Sequence, residues 1–514
     1  MTKTGADILV QTLAQNGVTH CFANPGTSEM HLVQALEREP RIKSVLCLFE
    51  GVATGAADGF ARISNRPAMT LLHLGAGYGN GIANIHNAMK GNVPMINVIG
   101  DHATYHRKFD APLTCDLETL IKPHSKHIGI VESADIAGQI ASEAFEATNN
   151  YPKAPASIIL PADSAWNSAT IEGKKANPHT PTLIEGERID DCAHAIKKAQ
   201  KPVILVGGDA LFDDASLENM ARLKAAGVRV LIDTFPARQK RGAKIFAPDK
   251  MQYFGEMALE DLKGVDLMVI AGTQIPVAFF AYPNRPSILV PEGCETLQLT
   301  EKYENTIEAL AQLVGALDAP PAPQLPDAKP IAKPEGKLNA FTCAQSLARL
   351  MPENSVISDD AVTSGLPHYI ALQGAATHDW LCLTGGAIGQ GLPVALGAQM
   401  ADMSRKVFAL SGDGAGMYCI QSLWTMAREK LPIVTIIFAN RNYRILNIEM
   451  ARTGASNSGE PSQMLSLENP NLDYVQIAQG MGIKAISATN CVEFDAALEN
   501  AINANEPWLI EAII

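Results

Sequence analysis

The sequence predicts an α/β protein made of three doubly wound domains. Its length of 514 residues exceeds one ordinary domain and indicates about three. Short apolar runs alternate with helical or glycine-rich segments along the chain, which is typical of parallel sheets covered by helices. Two irregular, proline-containing stretches, 174–187 and 318–337, interrupt this pattern. We therefore predict domains at 1–172, 186–317 and 338–514.

In the first domain we predict a helix over 5–16, a strand over 18–22 and a helix that begins at Ser28 and Glu29. An Asn-Pro-Gly turn separates that strand from that helix, as expected of a sharp connection. Further short apolar runs bounded by turn residues are predicted strands, namely 44–48, 68–72, 95–99 and 157–160.

The middle domain has the pattern of a Rossmann-like fold. We predict a helix near 216–226 and strands at 203–206, 228–232, 267–270 and 287–290. Two glycines follow the first of these strands, but no G-x-G-x-x-G motif is present there. A structural domain is therefore favoured over a dinucleotide-binding one.

The third domain is predicted to begin with a helix that ends near residue 351 and a strand at 356–358. A glycine-rich segment follows at 384–397, and the last predicted strand is 508–513. The proline-rich 318–337 stretch before this domain cannot hold a helix or a central strand, so we predict a long linker.

Composition excludes several classes of function. Hydrophobic residues make up 47% of the chain and charged residues 18%, as in a well-packed globular protein. The net charge of −13 argues against binding to nucleic acid or to an anionic membrane surface. We find no apolar run long enough to span a bilayer and no signal-peptide core. The nine cysteines contain no C-x-x-C pair, which predicts reduced thiols in a cytoplasmic protein.

A strand–turn–helix–strand unit between Val407 and Leu446 carries candidate metal ligands. Asp413 lies in a Gly-Asp-Gly turn after the first strand, a helix is predicted over 418–429, and Asn440 ends the second strand. Because open α/β sheets bind ligands at the carboxyl ends of their strands, these oxygens and a following backbone carbonyl suit Mg²⁺. The flanking glycines allow backbone N–H groups to approach a diphosphate. A solvated turn is the alternative interpretation of the tripeptide alone.

Glu50 is the candidate acid–base residue. It closes a predicted strand and precedes a stretch of small residues, 51–59. Such a stretch is a poor helix former by itself and indicates close backbone packing, for example at a subunit interface. A carboxylate among apolar neighbours is suited to sharing a proton, whereas a solvated strand end is the alternative.

Two further features are candidates for substrate binding. His73 follows a predicted strand and could hold a carboxylate or relay a proton, or be an ordinary core histidine. Residues 101–108 contain two histidines and two cationic side chains after a strand end. They could bind an anionic substrate or form a solvated loop.

Four motifs occur together in one order: Asn24 to Glu29, Phe49 to Ala61, Gly385 to Pro393, and Gly412 to Tyr443. In order and spacing they resemble the thiamine diphosphate-dependent 2-oxo acid decarboxylase and carboligase family, which includes acetolactate synthases and benzoylformate decarboxylases. The resemblance covers essentially the whole chain. It implies a pyrimidine-binding first domain, a Rossmann-like middle domain and a diphosphate-binding third domain.

The resemblance also implies roles for single residues. Glu50 would hydrogen-bond the cofactor's aminopyrimidine ring, the Gly386 carbonyl would accept from its exocyclic amine, and Ile388 would enforce the bent shape of the cofactor. Asp413, Asn440 and the Asn442 carbonyl would bind Mg²⁺. The other positions implied to bind the cofactor are Pro25, Gly26, Asn80, Val362, Thr363, Gly412, Gly414, Ala415 and Tyr443.

The activity implied is decarboxylation of a 2-oxo acid followed by carboligation of the resulting enamine, as in acetolactate synthases. His73 falls where benzoylformate decarboxylases have an active-site histidine, so the alternative is a decarboxylase that releases an aldehyde. A second histidine of those enzymes is replaced here by Phe279 and Phe280. A nicotinamide-dependent dehydrogenase would leave Glu50 without a purpose, and a catalytically silent binding protein would be favoured only by loss of Glu50, Asp413 or Asn440.

The resemblance implies a cofactor bound between the first domain of one subunit and the third domain of another. We therefore expect at least a homodimer, and often a homotetramer, acting on a small 2-oxo acid. FAD is possible by analogy with the family, but the middle domain has no dedicated FAD-binding signature.

Overall fold

The computed structural model describes residues 3–328, 330–454 and 463–514. Their strands form three sheets of six, five and seven strands. Within the described residues all strand pairs in these sheets are parallel, except one at the edge of the third sheet. The predicted fold class, three α/β domains, is confirmed. Residue 329 of the predicted linker lies outside the described residues.

The first sheet has the strand order β2-β1-β3-β4-β6-β5. Its strands are β1 (His20–Ala23), β2 (Lys43–Leu46), β3 (Ala68–His73), β4 (Met95–Asp101), β5 (His127–Ile130) and β6 (Pro155–Pro161). The helices of this part are α1 (Gly5–Gln15), α2 (Met30–Glu37), α3 (Glu50–Ser64), α4 (Leu74–Lys90), α5 (Leu117–Ile121), α6 (Ala137–Asn149) and α7 (Ala162–Trp166).

The second sheet has the order β10-β8-β7-β11-β12. Its strands are β7 (Pro202–Val206), β8 (Arg229–Ile232), β10 (Asp249–Lys250), β11 (Leu267–Ala271) and β12 (Glu295–Thr300), and β9 (Gln239–Arg241) leaves it for the third sheet. The helices are α8 (Gly186–Lys198), α9 (Asp214–Ala225), α10 (Gly255–Asp261) and α11 (Thr306–Ala316).

The third sheet has the order β17-β18-β16-β15-β13-β14-β9. Its remaining strands are β13 (Ser355–Asp360), β14 (His378–Leu381), β15 (Val407–Gly412), β16 (Val434–Ala439), β17 (Lys484–Ala488) and β18 (Trp508–Ile513). The helices are α12 (Ala340–Leu350), α13 (Gly365–Ala371), α14 (Gly391–Ala401), α15 (Asp413–Gly416), α16 (Ser422–Arg428), α17 (Arg444–Thr453), α18 (Tyr474–Gly480) and α19 (Cys491–Asn503).

Two predicted elements are wrong. The apolar run at 287–290 is no strand: Ile288 is half exposed and forms a single bridge with Val277, because Pro286 and Pro291 remove ladder donors on both sides. The helix predicted over 418–429 is interrupted. A short helix starts directly at Asp413, and the next begins only at Ser422.

We propose that the three domains have the predicted limits 1–172, 186–317 and 338–514, because the strands of each sheet fall within one range. β9 is the exception, since it pairs antiparallel with β14. Among the described residues, no helix is both long and apolar enough to cross a bilayer.

The first and third sheets are joined by a close crossing of α3 and α14. A Cβ atom at Gly59 would lie 2.0 Å from the Val394 carbonyl oxygen, and one at Gly397 would lie 1.8 Å from that of Ala56. One apolar core cluster continues across this crossing from strands of the first sheet to strands of the third. The small residues after Glu50 therefore do pack closely against another backbone, as expected. That backbone is α14 of the same chain, whereas the sequence analysis gave a subunit interface as its example.

Buried arginines tie the three parts of the chain together. Arg62 on α3 forms a fully buried ion pair with Asp58 at 2.7 Å and donates to the carbonyls of Cys382 at 2.6 Å and Ala237 at 3.1 Å. Arg238 donates to the Asp379 carboxylate at 2.8 Å and to the Arg62 carbonyl at 3.0 Å. Each of the three α/β parts thus supplies a partner to this cluster.

Candidate functional site

In each of the three sheets, the order in which the chain adds strands reverses near the centre of the sheet. In the first sheet the chain goes from β1 to β2 on one side and returns to β3 on the other. The same reversal occurs around β7 and around β13. The carboxyl ends of the two strands that flank such a reversal form a crevice, which is where open α/β sheets bind ligands.

Glu50 lies at the first turn of α3, beside the crevice of the first sheet. It is only 6% exposed. Its carboxylate accepts hydrogen bonds from the amide of Asn24, at 3.3 Å, and from that of Asn80 on α4, at 3.0 Å. In the described residues no cation pairs with it. Two neutral donors hold it in place and leave it able to share a proton with a ligand.

His73 ends β3 and is bound to a buried carboxylate. Its Nδ1 lies 2.9 Å from Oε2 of Glu29, which is 1% exposed, and 3.1 Å from the Ser28 hydroxyl. The backbone N–H of Gly26 donates to the same glutamate oxygen at 2.8 Å. With Nδ1 bonded to a carboxylate, the imidazole orientation is fixed and Nε2 is presented outward. Sequence reasoning singled out His73 but missed Glu29 as its partner.

The histidine-rich 101–108 loop is internally paired. Arg107 forms an ion pair with Asp101 at 2.6 Å, and the rings of His102 and His106 lie 5.4 Å apart. Tyr105 is 62% exposed. These contacts support the solvated-loop interpretation more than an anion site.

The predicted metal ligands meet at the ends of two neighbouring strands. Asp413 follows β15 and Asn440 follows β16, and these strands pair in parallel. The N–H of Arg441 donates to Asp413 Oδ2 at 2.5 Å. This hydrogen bond holds the turn after β16 next to the carboxylate. Burial raises the pKa of Asp413, and the N–H groups of Arg441 and Gly414 act against that rise. A cation at these oxygens would oppose the effect of burial and lower the pKa of Asp413.

Tyr443 closes this group of residues. Its ring covers Gly414, where a Cβ would lie 2.3 Å from the ring. The amide oxygen of Asn440 accepts the Asn442 N–H at 2.9 Å, so the turn is internally ordered. One carboxylate, one side-chain amide and a turn carbonyl fit the oxygen ligands that Mg²⁺ takes.

A loop from Thr384 to Gly389 enters the same crevice. Gly386 has φ +77° and Gly389 φ +99°, the left-handed region that glycine adopts at little cost. Asp360, at the end of β13, accepts the N–H groups of Gly389 at 2.7 Å and Gly391 at 3.2 Å. Its second oxygen, Oδ1, is buried without a partner among the described residues. Burial raises the pKa of Asp360 to about 7.

Backbone strain marks the same places. Leu74, Val362 and Arg441 have φ values of +43°, +48° and +56°. For residues other than glycine this conformation costs about 1–3 kcal/mol and is concentrated at functional sites. Leu74 directly follows His73, Arg441 directly follows Asn440, and Val362 lies two residues after the end of β13.

Phe279 places an aromatic ring against the loop from Thr384 to Gly389. A Cβ at Gly386 would lie 3.0 Å from this ring. Phe279 also packs with Phe235 and Tyr253 at ring separations of 5.8 and 5.2 Å. A cavity of about 100 Å³ lies beside these rings. The middle domain thus contacts the loop through aromatic side chains. In the resemblance described above, Phe279 and Phe280 replace a histidine at this position.

A second cavity, of about 180 Å³, lies at the direction change of the middle sheet, between Gly207 and Gly272. It is smaller than the roughly 300–1,000 Å³ usual for cofactor pockets. Asp209 at its edge is bonded to the Tyr151 hydroxyl, and Asp233 to Thr273 at 2.6 Å. Both carboxylates already have partners, so the described lining adds no support for FAD, which stays an expectation from the family resemblance alone.

The predicted site residues form two groups in this chain. The first group surrounds the crevice of the first sheet, and the second surrounds that of the third. Asn80 and Gly386, one from each group, are exposed in the single chain. The first group consists of Pro25, Gly26, Glu50, His73 and Asn80, and the second of Val362, Thr363, Gly386, Ile388, Gly412, Asp413, Gly414, Ala415, Asn440, Asn442 and Tyr443.

Comparison with known proteins identifies the family. The model described as thiamine pyrophosphate enzyme, N-terminal TPP binding domain, matches residues 3–122, and the corresponding C-terminal TPP binding domain model matches residues 367–512. The chain belongs to the thiamine pyrophosphate enzyme family. Its two matched regions contain Glu50 and Asp413, the central residues of the two groups.

Three relatives illustrate the range within the family. The chain is 42% identical to "Putative acetolactate synthase large subunit IlvX" of Mycobacterium tuberculosis, over 99% of both chains. It is 26% identical to benzoylformate decarboxylase of Pseudomonas aeruginosa, over 99% of this chain and 98% of the relative. The structure of the thiamine diphosphate-dependent 4-hydroxybenzoylformate decarboxylase of Rhodococcus jostii RHA1 superposes with a TM-score of 0.86, at 23% identity over 99% of both chains, which shows the shared fold.

The protein is therefore a thiamine diphosphate-dependent enzyme of a family that acts on 2-oxo acids. The predicted resemblance is confirmed. A dehydrogenase or a silent binding protein is not supported by any residue described above.

Proposed function

We propose that the enzyme uses thiamine diphosphate and Mg²⁺ to remove CO₂ from a 2-oxo acid and joins the remaining acyl unit to a second carbonyl compound. The observation that supports this most is the environment of Glu50. A buried carboxylate that is held by Asn24 and Asn80 and has no cationic partner in the described part of the chain is suited to share a proton with the aminopyrimidine of the cofactor.

The residues of the third sheet fit the other end of the cofactor. Asp413, Asn440 and the Asn442 carbonyl would hold Mg²⁺. The first turn of α15, at the carboxyl end of β15, places backbone N–H groups where a diphosphate would bind. The side chain of Ile388 and the Gly386 carbonyl would orient the ring system. Residues around the diphosphate would be Val362, Thr363, Gly412, Gly414, Ala415 and Tyr443, and Pro25 and Gly26 would border the aminopyrimidine from the first sheet.

When bound, thiamine diphosphate supplies the nucleophilic carbon and the electron sink for loss of CO₂. The chain contributes the Glu50 carboxyl group as the partner of the aminopyrimidine and fixes the orientation of the cofactor. His73, fixed by Glu29, presents Nε2 to hold the substrate carboxylate or deliver a proton.

Carboligation is the leading outcome because the 42% identical relative is named an acetolactate synthase large subunit. A second candidate is release of an aldehyde, as in benzoylformate decarboxylase. The His73–Glu29 pair favours it, since a fixed imidazole is a ready proton donor.

We further propose a homodimer, or a tetramer built from it, in which Glu50 of one subunit faces the third sheet of another. Three exposed apolar side chains near the proposed diphosphate loop support this: Val362, Leu366 and Ile370, which are 42%, 59% and 61% exposed. Contiguous apolar patches of this kind mark protein interfaces. All nine cysteines are free thiols, which supports the cytoplasm as its location.

The function is tested by product analysis on pyruvate, 2-oxobutyrate and benzoylformate with thiamine diphosphate and Mg²⁺. Acetolactate from pyruvate supports carboligation, and benzaldehyde from benzoylformate moves the assignment to a decarboxylase. We expect Glu50→Gln to lower kcat by at least about 10²-fold while the cofactor still raises Tm, because ligand binding to the folded state stabilises it.

The matched control is Glu39→Gln. Glu39 is a buried carboxylate in the turn between α2 and β2 of the first domain and is paired with Arg41. The turnover of this variant should equal that of wild type. Absence of any cofactor-induced rise in the Tm of wild type would contradict the proposal.

A further inference from the structure

Asn87, in the last turns of α4, clamps the loop that enters the crevice of the third sheet. Its side chain is completely buried. Nδ2 donates to the Ala387 carbonyl at 2.8 Å, and Oδ1 accepts the Ala387 N–H at 3.2 Å. The backbone carbonyl of Asn87 accepts the Thr384 hydroxyl at 2.6 Å. One residue of the first domain thus makes three hydrogen bonds to a loop of the third.

Only an asparagine-like side chain can make this double contact. An amide group offers a donor and an acceptor side by side, as a peptide unit does. An aspartate could accept the Ala387 N–H but could not donate to the Ala387 carbonyl, and an alanine could do neither.

The clamp determines where the Gly386 carbonyl points. The peptide between Gly386 and Ala387 is trans, so its C=O and N–H point in opposite directions. Since the N–H points to Asn87, the Gly386 carbonyl points away from α4. The preceding carbonyl, that of Gly385, is already in contact with His86 Nε2 at 3.2 Å. Within residues 3–328, 330–454 and 463–514, no donor reaches the Gly386 carbonyl.

We propose that Asn87 is a positioning residue: it holds the 384–387 loop so that the Gly386 carbonyl is available to the exocyclic amine of the cofactor. The inference rests on the proposed function. Asn87 itself does not touch the cofactor. Its role is to hold the Gly386 carbonyl in place before the cofactor binds. Gly386, with φ +77°, would otherwise be mobile. Because the loop is already ordered, less conformational entropy is lost on binding.

Two readouts test the clamp in Asn87→Ala, Asn87→Asp and wild type. The first is amide hydrogen exchange of the 384–389 segment in the cofactor-free protein. The second is the Kd of thiamine diphosphate at saturating Mg²⁺, from thermal shifts. Loss of two buried hydrogen bonds in Asn87→Ala should speed exchange at the Ala387 amide and weaken cofactor binding, each by about tenfold. Asn87→Asp keeps the acceptor, so its Ala387 amide should stay protected while its Kd rises.

The matched control is Asn97→Ala. Asn97 is equally buried, lies in β4 and accepts the Thr70 hydroxyl at 2.7 Å, far from the loop in sequence and contacts. This variant should lose stability but keep wild-type exchange in the loop and wild-type Kd.

Equal Kd in Asn87→Ala and wild type, or unchanged loop exchange, would overturn the positioning role alone. If Asn87→Ala does not fold, the Kd of Asn87→Asp decides: a Kd equal to that of wild type overturns the positioning role. A wild-type protein that binds no thiamine diphosphate would overturn the proposed function, and this inference with it, before any variant is made.

Discussion

The carboxyl group of Asp360 holds the end of the loop that precedes α14. It accepts two N–H groups of the loop that leads into α14, yet its other oxygen is buried without a partner in the described part of the chain. An ionised carboxylate is costly in such a place. Burial therefore favours the protonated form, with a pKa of about 7.

This makes stability depend on pH. Between pH 3.8, the ordinary value, and about 7, the folded state keeps a proton that the unfolded chain has lost. The folded state thus binds more protons, and the free energy of unfolding falls as pH rises through this window. We expect Asp360→Asn to gain stability relative to wild type from pH 4 to pH 7, by at most about 1.4 kcal/mol per pH unit, as measured by urea unfolding.

The matched control has the opposite sign. Asp266 is partly exposed, and backbone N–H groups of Gln200 and Lys201 lower its pKa. Asp266→Asn should therefore lose stability relative to wild type above its ordinary pKa. Parallel pH profiles for wild type and Asp360→Asn would contradict the account of Asp360.

At the residue scale, the sequence pointed to Glu50, His73, Asp413 and Asn440 because each directly follows an apolar run and precedes small or polar residues. It could not reveal Asn87, Glu29 or Asp360. Their partners are 300, 44 and 29 positions away along the chain, and only the fold brings such pairs together. The sequence around an asparagine in a helix, or an aspartate at a strand end, does not show whether its side chain binds a distant loop or faces solvent.

At the scale of elements, the crossing of α3 and α14 is the closest contact between two helices of different sheets described here. Its geometry depends on glycine, because a Cβ at Gly59 would overlap the Val394 carbonyl. Backbone atoms, unlike a flexible side chain, cannot move aside without shifting α14 and the loop before it.

Gly59→Ala should therefore destabilise the cofactor-free protein by about 1–3 kcal/mol or more, the cost of overpacking, and lower its Tm. Gly79→Ala on α4 is the matched control: it also lies in a helix, but nothing lies within 4 Å of the added Cβ. It should raise stability by about 0.5–1 kcal/mol through its better helix propensity. Equal Tm values for the two variants would show that the crossing is more tolerant than its geometry indicates.

Elements with a continuous apolar run between turn residues were predicted well. β4, β6, β7 and β18 differ from their predicted limits by at most two residues at each end. The failures share a physical cause. β12 (Glu295–Thr300) alternates polar and apolar residues on a sheet edge and was overlooked, while the apolar 287–290 run was misassigned. β9 has no apolar core and exists because it pairs with β14 of another sheet. Tertiary pairing decided these cases.

At the scale of the whole molecule, the site residues lie in two separate groups, one at the first sheet and one at the third. Asn80, which binds Glu50, and Asn87, which binds the cofactor loop, are seven residues apart on α4, or about 10.5 Å along the helix axis. In the proposed homodimer they serve different cofactor sites: Glu50 acts on the cofactor held by the partner, and the loop serves the chain's own third sheet.

Mixing two inactive variants tests this arrangement. Glu50→Gln and Asp413→Ala should each be inactive alone. Random assembly makes half of the dimers mixed, and in each mixed dimer one of the two sites combines intact Glu50 with intact Asp413. We expect about a quarter of wild-type activity from a co-expressed 1:1 mixture. A mixture as inactive as its components would mean that both residues act within one chain.

The buried Arg62 cluster has a consequence for the biogenesis of the chain. During synthesis, Arg62 and Asp58 leave the ribosome long before Ala237, and longer still before Cys382 and Thr384, which complete the guanidinium's set of partners. Until Ala237 emerges, the charged group has only Asp58 and water, and until Cys382 and Thr384 emerge its set of partners is incomplete. The first domain can form its sheet early, but its α3 surface reaches its final packing only when almost three quarters of the chain has been translated, so premature termination leaves the first domain with an exposed, incompletely paired surface.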